Sequence, residues 1–252
     1  MSEVFQMMFD EGSGGELHSK AEAVHSSSML SYNFFHWINE EHPFKWKEVE
    51  YTKVLFEVKM KTLKNSNAPA NMDIVLIDKG QKNILFIESK FLEYTETKKF
   101  ELSDSYKDKN NYYNQNKKDE LHKIADDYKP TGKYKEGIKQ LITHLFGIYG
   151  LLSEVKEATN FCNELGDIRS KKIKFITLVF EPDGGEFKTD HDDYVNYYDM
   201  FKDFHDKLTA IEGLDVIPQW VSYSDLWKEM ESLISPDLKD FLFERYMRFA
   251  KV

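Results

Sequence analysis

The chain has 252 residues, of which 41% are hydrophobic and 15% aromatic, enough for one large domain with a buried core. With this apolar content and 31% charged residues, the composition is not that of an intrinsically disordered chain. A single cysteine excludes both an intramolecular disulfide and a cysteine-rich zinc site. The formal net charge of -10 argues against a uniformly basic surface for nucleic acid. Twelve lysines between Lys90 and Lys139 nevertheless allow a local basic groove.

The N-terminal segment, residues 1–15, is acidic and contains a Gly-Ser-Gly-Gly run, so we expect it to be flexible. It has neither the basic start nor the apolar stretch of a signal peptide, and no apolar run in the chain approaches the length of a membrane span. We therefore expect a cytoplasmic protein without a membrane partner. No internal repeat or linker is evident, which favours a single domain over residues 1–252.

The first half of the chain predicts a helix followed by three strands. Residues 16–39 have the spacing of apolar residues that is typical of a helix. Residues 49–60 alternate like a strand, with four apolar residues predicted on one face (Val54, Phe56, Val58 and Met60) and Lys53, Leu55, Glu57 and Lys59 on the other. Residues 72–77 and 84–91 are two further apolar strands, and the polar residues 78–81 between them predict a hairpin turn.

The second half predicts a polar, lysine-rich insertion over residues 92–130 and then alternating helices and strands. Helices are predicted at 134–152 and 192–211, strands at 172–181 and 214–223, and two closing helices within 224–252. The closing helices, at 224–233 and 236–250, have start signals at Ser224 and at Ser235-Pro236. This order predicts an α/β fold in which a mixed central sheet is flanked by helices on both faces.

The hairpin carries the residues with the clearest chemical potential. Asp73 lies on its first strand, and Glu88, Ser89 and Lys90 end its second strand. Residues two apart in a strand face the same side, so Glu88 and Lys90 should project together from an otherwise apolar face. Asp73 and Glu88 could bind Mg²⁺, with the Ser89 carbonyl as a third ligand. Lys90 would then orient a water or stabilise charge on a phosphate, and a nearby ion would lower its pKa.

The Glu-x-Lys spacing alone is not specific. It recurs at Glu57, Glu96, Glu154 and Glu186, and Asp237-Leu-Lys239 is a close variant. Only Glu88 lies in a strongly apolar strand that follows a second apolar strand bearing an acid. The alternative is an ordinary ion pair at the end of a strand.

This pattern resembles the PD-(D/E)XK nuclease superfamily. Met72-Asp73 stands where the superfamily has Pro-Asp, Glu88-Ser89-Lys90 matches the second half of the motif, and fourteen residues separate the two acids. The order of elements is similar over residues 16–180. The resemblance implies a restriction endonuclease-like fold and hydrolysis of phosphodiesters with Mg²⁺, for which Mn²⁺ would substitute.

The resemblance implies two further positions in the site. An acid upstream of the hairpin often joins the metal site, and Glu57 and Glu22 are the candidates, of which we favour Glu57. Some subfamilies have a glutamine on the following helix and a tyrosine four residues later; here these positions hold Gln140 and His144, which share a helix face. The alternative is an ordinary polar stripe on an amphipathic helix.

Together these features predict a Mg²⁺-dependent endonuclease that acts on DNA in restriction, defence or repair. The acidic surface and the missing proline keep open the alternative of an inactive nuclease-fold protein that binds nucleic acid or a protein partner. The sequence does not distinguish an RNA substrate from a DNA substrate. A homodimer is common in this fold, but no segment stands out as its interface.

Overall fold

The structure is a computed structural model that describes residues 27–65, 69–92, 97–98, 102, 104–108, 111–112, 114, 117–128, 132–133, 135–153, 159–185 and 188–251. Its centre is a six-stranded sheet in the order β1-β2-β3-β4-β7-β8. The strands are β1 (Phe44–Trp46), β2 (Val49–Met60), β3 (Ala70–Asp78), β4 (Asn83–Lys90), β7 (Lys172–Val179) and β8 (Pro218–Ser222), while β5 (Thr97–Lys98) and β6 (Gly132–Lys133) form a separate pair.

Seven α-helices are present in the described part of the chain. They are α1 (Ser27–Phe35), α2 (Lys118–Asp127), α3 (Lys135–Ser153), α4 (Cys162–Leu165), α5 (Lys188–Thr209), α6 (Tyr223–Met230) and α7 (Pro236–Arg245). One face of the sheet packs on α2, α3 and α5, and the other face packs on α1, α6 and α7. None of these helices combines the length and apolar character needed to cross a membrane.

The sheet is mixed and curled. Strands β1 to β4 pair antiparallel in sequence order, and β7 and β8 then add parallel to β4 through connections that contain helices α3 and α5. Lys47, in the turn between β1 and β2, donates to Gln219 of β8 at 3.5 Å, although β1 and β8 are the two edge strands. The predicted α/β class, with a mixed sheet between two helical layers, is confirmed.

Most predicted elements are present with shifted ends. The last strand begins at Pro218 rather than at 214, and the closing helix begins at Tyr223, capped by Ser222 instead of the predicted Ser224. Ser235 does cap α7, with Pro236 in its first turn. Strand β1 was not predicted, because three residues are too few to show a period. Of the helix predicted at 16–39, residues 16–26 lie outside the described part of the chain.

Strands β2 and β3 each break their alternation at an acidic residue, Glu57 in β2 and Asp73 in β3. In β2, Val54 and Phe56 face the α1 side, but Val58 lies in the core on the α3 side, two residues after Phe56. In β3, Met72 faces the α3 side and Ile74 the α1 side. A regular strand would keep residues two apart on one face, so the predicted shared face of Val54, Phe56, Val58 and Met60 is wrong. The physical reason is the backbone of Glu57, whose φ is 51°.

The breaks face each other across the two strands. Phe56 pairs with Ile74 and Val58 pairs with Met72, and this register leaves Glu57 opposite Asp73. A positive φ is uncommon for a residue with a side chain, and strained backbone of this kind tends to occur at functional sites. The sheet is therefore locally distorted where the two carboxylates meet.

Helix α3 lies close against the sheet at Gly147. A Cβ at this position would come within 2.8 Å of Met60 Cβ, at the end of β2. In the interior of a helix, alanine is usually more stabilising than glycine by about 1 kcal/mol. Here we expect Gly147→Ala to destabilise the protein by about 1–3 kcal/mol, because the contact would push α3 away from the sheet. Chemical denaturation would measure this, with Gly80→Ala, whose Cβ has no contact under 3.4 Å, as the near-neutral control.

The described portions of residues 92–130 pack on the rest of the domain. Tyr112 is buried, and its hydroxyl lies 2.5 Å from His122 of α2. Asn111 accepts hydrogen bonds from the backbone of Lys64 and Asn65, just after β2. These residues extend the core on the α3 side of the sheet.

Candidate active site

Glu88 and Lys90 project from the end of β4 toward helix α3. Their side chains are 2% and 6% exposed, and Lys90 Nζ donates to Glu88 Oε1 at 2.5 Å. Ile84 and Phe86 precede them on the same apolar face. The alternation of β4 therefore brings the two charged groups together, as its sequence predicts. A buried pair of this kind is costly to desolvate, so stability alone is a weak reason for its presence.

His144 contacts the same carboxylate from α3. Its Nδ1 lies 3.2 Å from Glu88 Oε2, and the side chain is 4% exposed. The contact lacks hydrogen-bond geometry: neither atom makes a hydrogen bond to any residue that the structure describes. Burial lowers the pKa of His144, while the charge of Glu88 and a hydrogen bond to the backbone of Asn71 raise it and Lys90 lowers it further. Glu88 thus has a cation on one oxygen and an imidazole nitrogen against the other.

Asp73 is held where β3 and β4 separate. The paired register of these strands ends at Ile74 and Ile87, and beyond it Asp73 Oδ2 accepts a hydrogen bond from Ser89 N at 2.7 Å. Burial raises the pKa of Asp73 well above its ordinary value. The charges of Glu88 and Glu57 raise it further, while Lys90 and the Ser89 hydrogen bond lower it. Glu88 and Glu57 are therefore close enough to Asp73 for their charges to disfavour its ionised form.

Glu57 completes this group from β2. Its side chain is buried, and Glu57 Oε1 accepts a hydrogen bond from Ser28 Oγ of α1 at 3.1 Å. The positive φ at this residue turns Glu57 out of the alternation of β2. Asp73, Glu88 and Glu57 are thus contributed by three adjacent strands, with Lys90 and His144 beside them.

A second layer supports the site from the opposite face of the sheet. Ser89 Oγ and the hydroxyl of Tyr223, at the start of α6, are 2.8 Å apart, and Tyr223 is fully buried. Through Ser89 this layer fixes the strand segment that carries Glu88 and Lys90.

Comparison with known protein families decides the assignment. The model of the family described as "Restriction Endonuclease associating with ARP" matches residues 3–247, nearly the whole chain. The chain belongs to this restriction endonuclease family. Membership in the PD-(D/E)XK superfamily is implied with it, as the hairpin motif indicates. No curated protein and no solved structure matches the chain.

Restriction endonucleases typically use a divalent metal ion. Among the described residues, no group of three or more His, Cys, Asp or Glu side chains is close enough together to enclose an ion. The carboxylates are held instead by Lys90, by the Ser89 amide and by the Ser28 hydroxyl. The donor set still fits a cation, because Glu88 Oε2 and His144 Nδ1 are buried acceptors that receive no hydrogen bond from a described residue.

The restriction endonuclease fold brings some of the predicted site residues together and leaves others apart. Asp73, Glu88, Lys90 and Glu57 converge at the end of the sheet. Gln140 lies on α3 one turn before His144, but within the described residues no hydrogen bond or ion pair joins its side chain to the carboxylates. Glu22 lies outside the described part of the chain.

Two contributors were not expected from the sequence. Ser28 and Tyr223 are far from the hairpin in sequence, and neither was among the site residues that the sequence predicts. His144 had a signal, since it shares a helix face with Gln140, yet its contact with Glu88 depends on how α3 packs. The strongest sequence candidate on this helix was the glutamine, whereas the histidine makes the contact.

The Tyr223–Ser89 hydrogen bond can be tested against a matched tyrosine. Tyr246 is also buried, and its hydroxyl accepts hydrogen bonds from Asn33 Nδ2 at 2.8 Å and Arg245 Nε at 3.0 Å, but no hydrogen bond joins this hydroxyl to β4 among the described residues. We expect Tyr223→Phe and Tyr246→Phe each to cost about 1 kcal/mol of stability. Only Tyr223→Phe should also lower the rate of DNA cleavage. Equal cleavage rates in the two variants would show that the Tyr223 hydroxyl is purely structural.

Proposed function

We propose that this protein is a metal-dependent endonuclease that hydrolyses phosphodiester bonds in DNA. The observation that carries the proposal is the convergence of Asp73, Glu88 and Glu57 beside Lys90 at a distorted end of the sheet, where Asp73 is half-buried and the other three are buried. Membership in a restriction endonuclease family supports DNA as the substrate. Restriction, defence or repair would be its setting, in the cytoplasm.

Asp73 and Glu88 would hold Mg²⁺, or Mn²⁺ as a substitute, with Glu57 and the Ser89 carbonyl as further oxygen ligands. The ion would polarise the scissile phosphate and lower the pKa of a bound water. In the structure Lys90 neutralises Glu88, so a cation that took over this role would release the ammonium group toward the substrate. Lys90 would then orient the attacking water or stabilise negative charge on the phosphate.

Gln140 has a supporting role in this proposal. It lies four residues before His144 on α3, and residues at this spacing share a face of the helix. From there an amide could bind a phosphate or a water next to the ion. The position is half-buried, which leaves the side chain accessible to a substrate.

Cleavage of supercoiled plasmid DNA by the purified protein tests the proposal. We expect nicked and linear products with Mg²⁺ or Mn²⁺ and none with EDTA. Parallel reactions with RNA of the same sequence would show whether the site discriminates between the two nucleic acids. Binding to DNA without any cleavage, in either metal, would favour the alternative of an inactive nuclease-fold protein.

A further inference from the structure

We infer that His144 is a nitrogen ligand of the divalent ion and shares that ion with Glu88. The inference rests on the proposed metal site and assigns it a fifth residue, on a helix rather than on the sheet. It starts from an arrangement that protein atoms alone do not explain. Glu88 Oε2 and His144 Nδ1 face each other at 3.2 Å, both buried and neither receiving a hydrogen bond from a described residue.

The protonation state of His144 follows from its other contact. The backbone of Asn71 accepts a hydrogen bond from the ring, and because Nδ1 makes none, the donor is Nε2–H. In the neutral ring the proton is then on Nε2. In this tautomer Nδ1 presents a lone pair to a carboxylate oxygen, and two acceptors in contact repel each other unless a cation lies between or beside them.

A histidine fixed in this way has the surroundings of a metal ligand. Histidines that bind metals nearly always donate their second ring nitrogen to a carbonyl or carboxylate, which sets the tautomer and the ring orientation. The separation also fits, because two ligand atoms each about 2.1 Å from an ion and at right angles to each other are about 3.0 Å apart. Glu88 Oε2 and His144 Nδ1 are near this separation already.

Lys90 explains how the same carboxylate can serve an ion. It engages Oε1, on the opposite side of the carboxylate from His144, so Oε2 is the oxygen that protein cations leave open. An imidazole ligand changes which metal the site prefers. Carboxylate and carbonyl oxygens are the ligands that Mg²⁺ prefers, whereas imidazole is a better ligand for transition metals. The affinity of such a nitrogen-containing site increases from Mn²⁺ to Cu²⁺.

Electron paramagnetic resonance of bound Mn²⁺ tests the ligand directly. Electron spin-echo envelope modulation spectra of the wild-type protein should show hyperfine coupling between Mn²⁺ and a directly coordinated histidine nitrogen. Labelling histidine with ¹⁵N should change that coupling. The signal should disappear in His144→Gln and persist in His205→Gln, which alters a half-exposed histidine on α5. Calorimetry should find that His144→Gln weakens Mn²⁺ binding by at least about tenfold and Mg²⁺ binding less.

The outcomes separate this inference from the proposed function. Mn²⁺ bound without nitrogen coupling, yet lost in Asp73→Asn, would overturn the role of His144 and leave the metal site intact. Failure of wild-type protein to bind Mn²⁺ would overturn both. The wild-type spectrum needs no variant, so the absence of a histidine coupling would overturn the inference even if His144→Gln does not fold.

Discussion

Asp73→Asn and Lys90→Met are each expected to reduce DNA cleavage by at least about a thousandfold at saturating Mg²⁺. Asp73→Asn removes a negative charge from the carboxylate group that would hold the ion. Lys90→Met keeps most of the side-chain volume but removes the only cation that contacts Glu88 Oε1 in the described structure. Initial rates of plasmid nicking would be measured as a function of Mg²⁺ concentration. A higher Mg²⁺ requirement would indicate weaker metal binding, and a lower rate at saturating Mg²⁺ would indicate a slower chemical step.

Matched controls come from strand β2. Glu50→Gln and Lys53→Met make the same chemical changes at exposed positions, and both should cleave at the wild-type rate. Circular dichroism would verify that Lys90→Met is folded, because removing one partner of a buried ion pair destabilises a protein. Cleavage by Asp73→Asn or Lys90→Met at the wild-type rate would remove these residues from the active site and leave the family fold without an assigned centre.

The second large effect is on stability without metal. In EDTA at neutral pH, Asp73→Asn should melt at least about 3 °C above the wild type, which for a chain of this size corresponds to roughly 1 kcal/mol. The reason is that burial and the charges of Glu88 and Glu57 raise the pKa of Asp73 in the folded state. Its ionised form is therefore disfavoured by folding, and an amide that can still accept the Ser89 hydrogen bond avoids that cost.

The sign of the pH dependence follows from the same shift. A carboxyl group with a raised pKa in the folded state contributes stability fully below its unfolded pKa, near 3.8, and loses it as the pH rises through the folded value. The difference in melting temperature between Asp73→Asn and the wild type should thus be small near pH 3.8 and grow above it. Differential scanning fluorimetry in EDTA across this range would measure it. A difference that stayed constant with pH would show that ionisation of Asp73 is not its cause.

Added Mn²⁺ should reverse the order of the melting temperatures, so that the wild type melts above Asp73→Asn. An ion that binds only the folded wild type stabilises it in proportion to the logarithm of ligand concentration over Kd, and Asp73→Asn should gain little. The carboxylates that bind the ion would thus destabilise the wild type when no metal is bound. The strained backbone of Glu57 contributes to the same cost, since a positive φ outside glycine is unfavourable by about 1–3 kcal/mol.

Local sequence patterns were enough to predict the hairpin and the contact between Glu88 and Lys90. Apolar runs on either side of a polar turn identified β3 and β4, and the two-residue period of β4 placed Glu88 and Lys90 on one face, where their side chains are in contact. Local rules sufficed because these features depend on neighbours within one strand. The alternation of strands and helices likewise determined the mixed sheet between two helical layers.

The tertiary structure alone decided how the rest of the site is assembled. Alternation placed Val58 on the wrong face, because the positive φ at Glu57 has no signal in the identity of a glutamate. The contacts of Ser28 with Glu57 and of Tyr223 with Ser89 join residues 29 and 134 positions apart. His144 contacts Glu88 from α3, which lies against the sheet with Gly147 next to Met60. Such contacts arise from packing between elements, which no local period encodes.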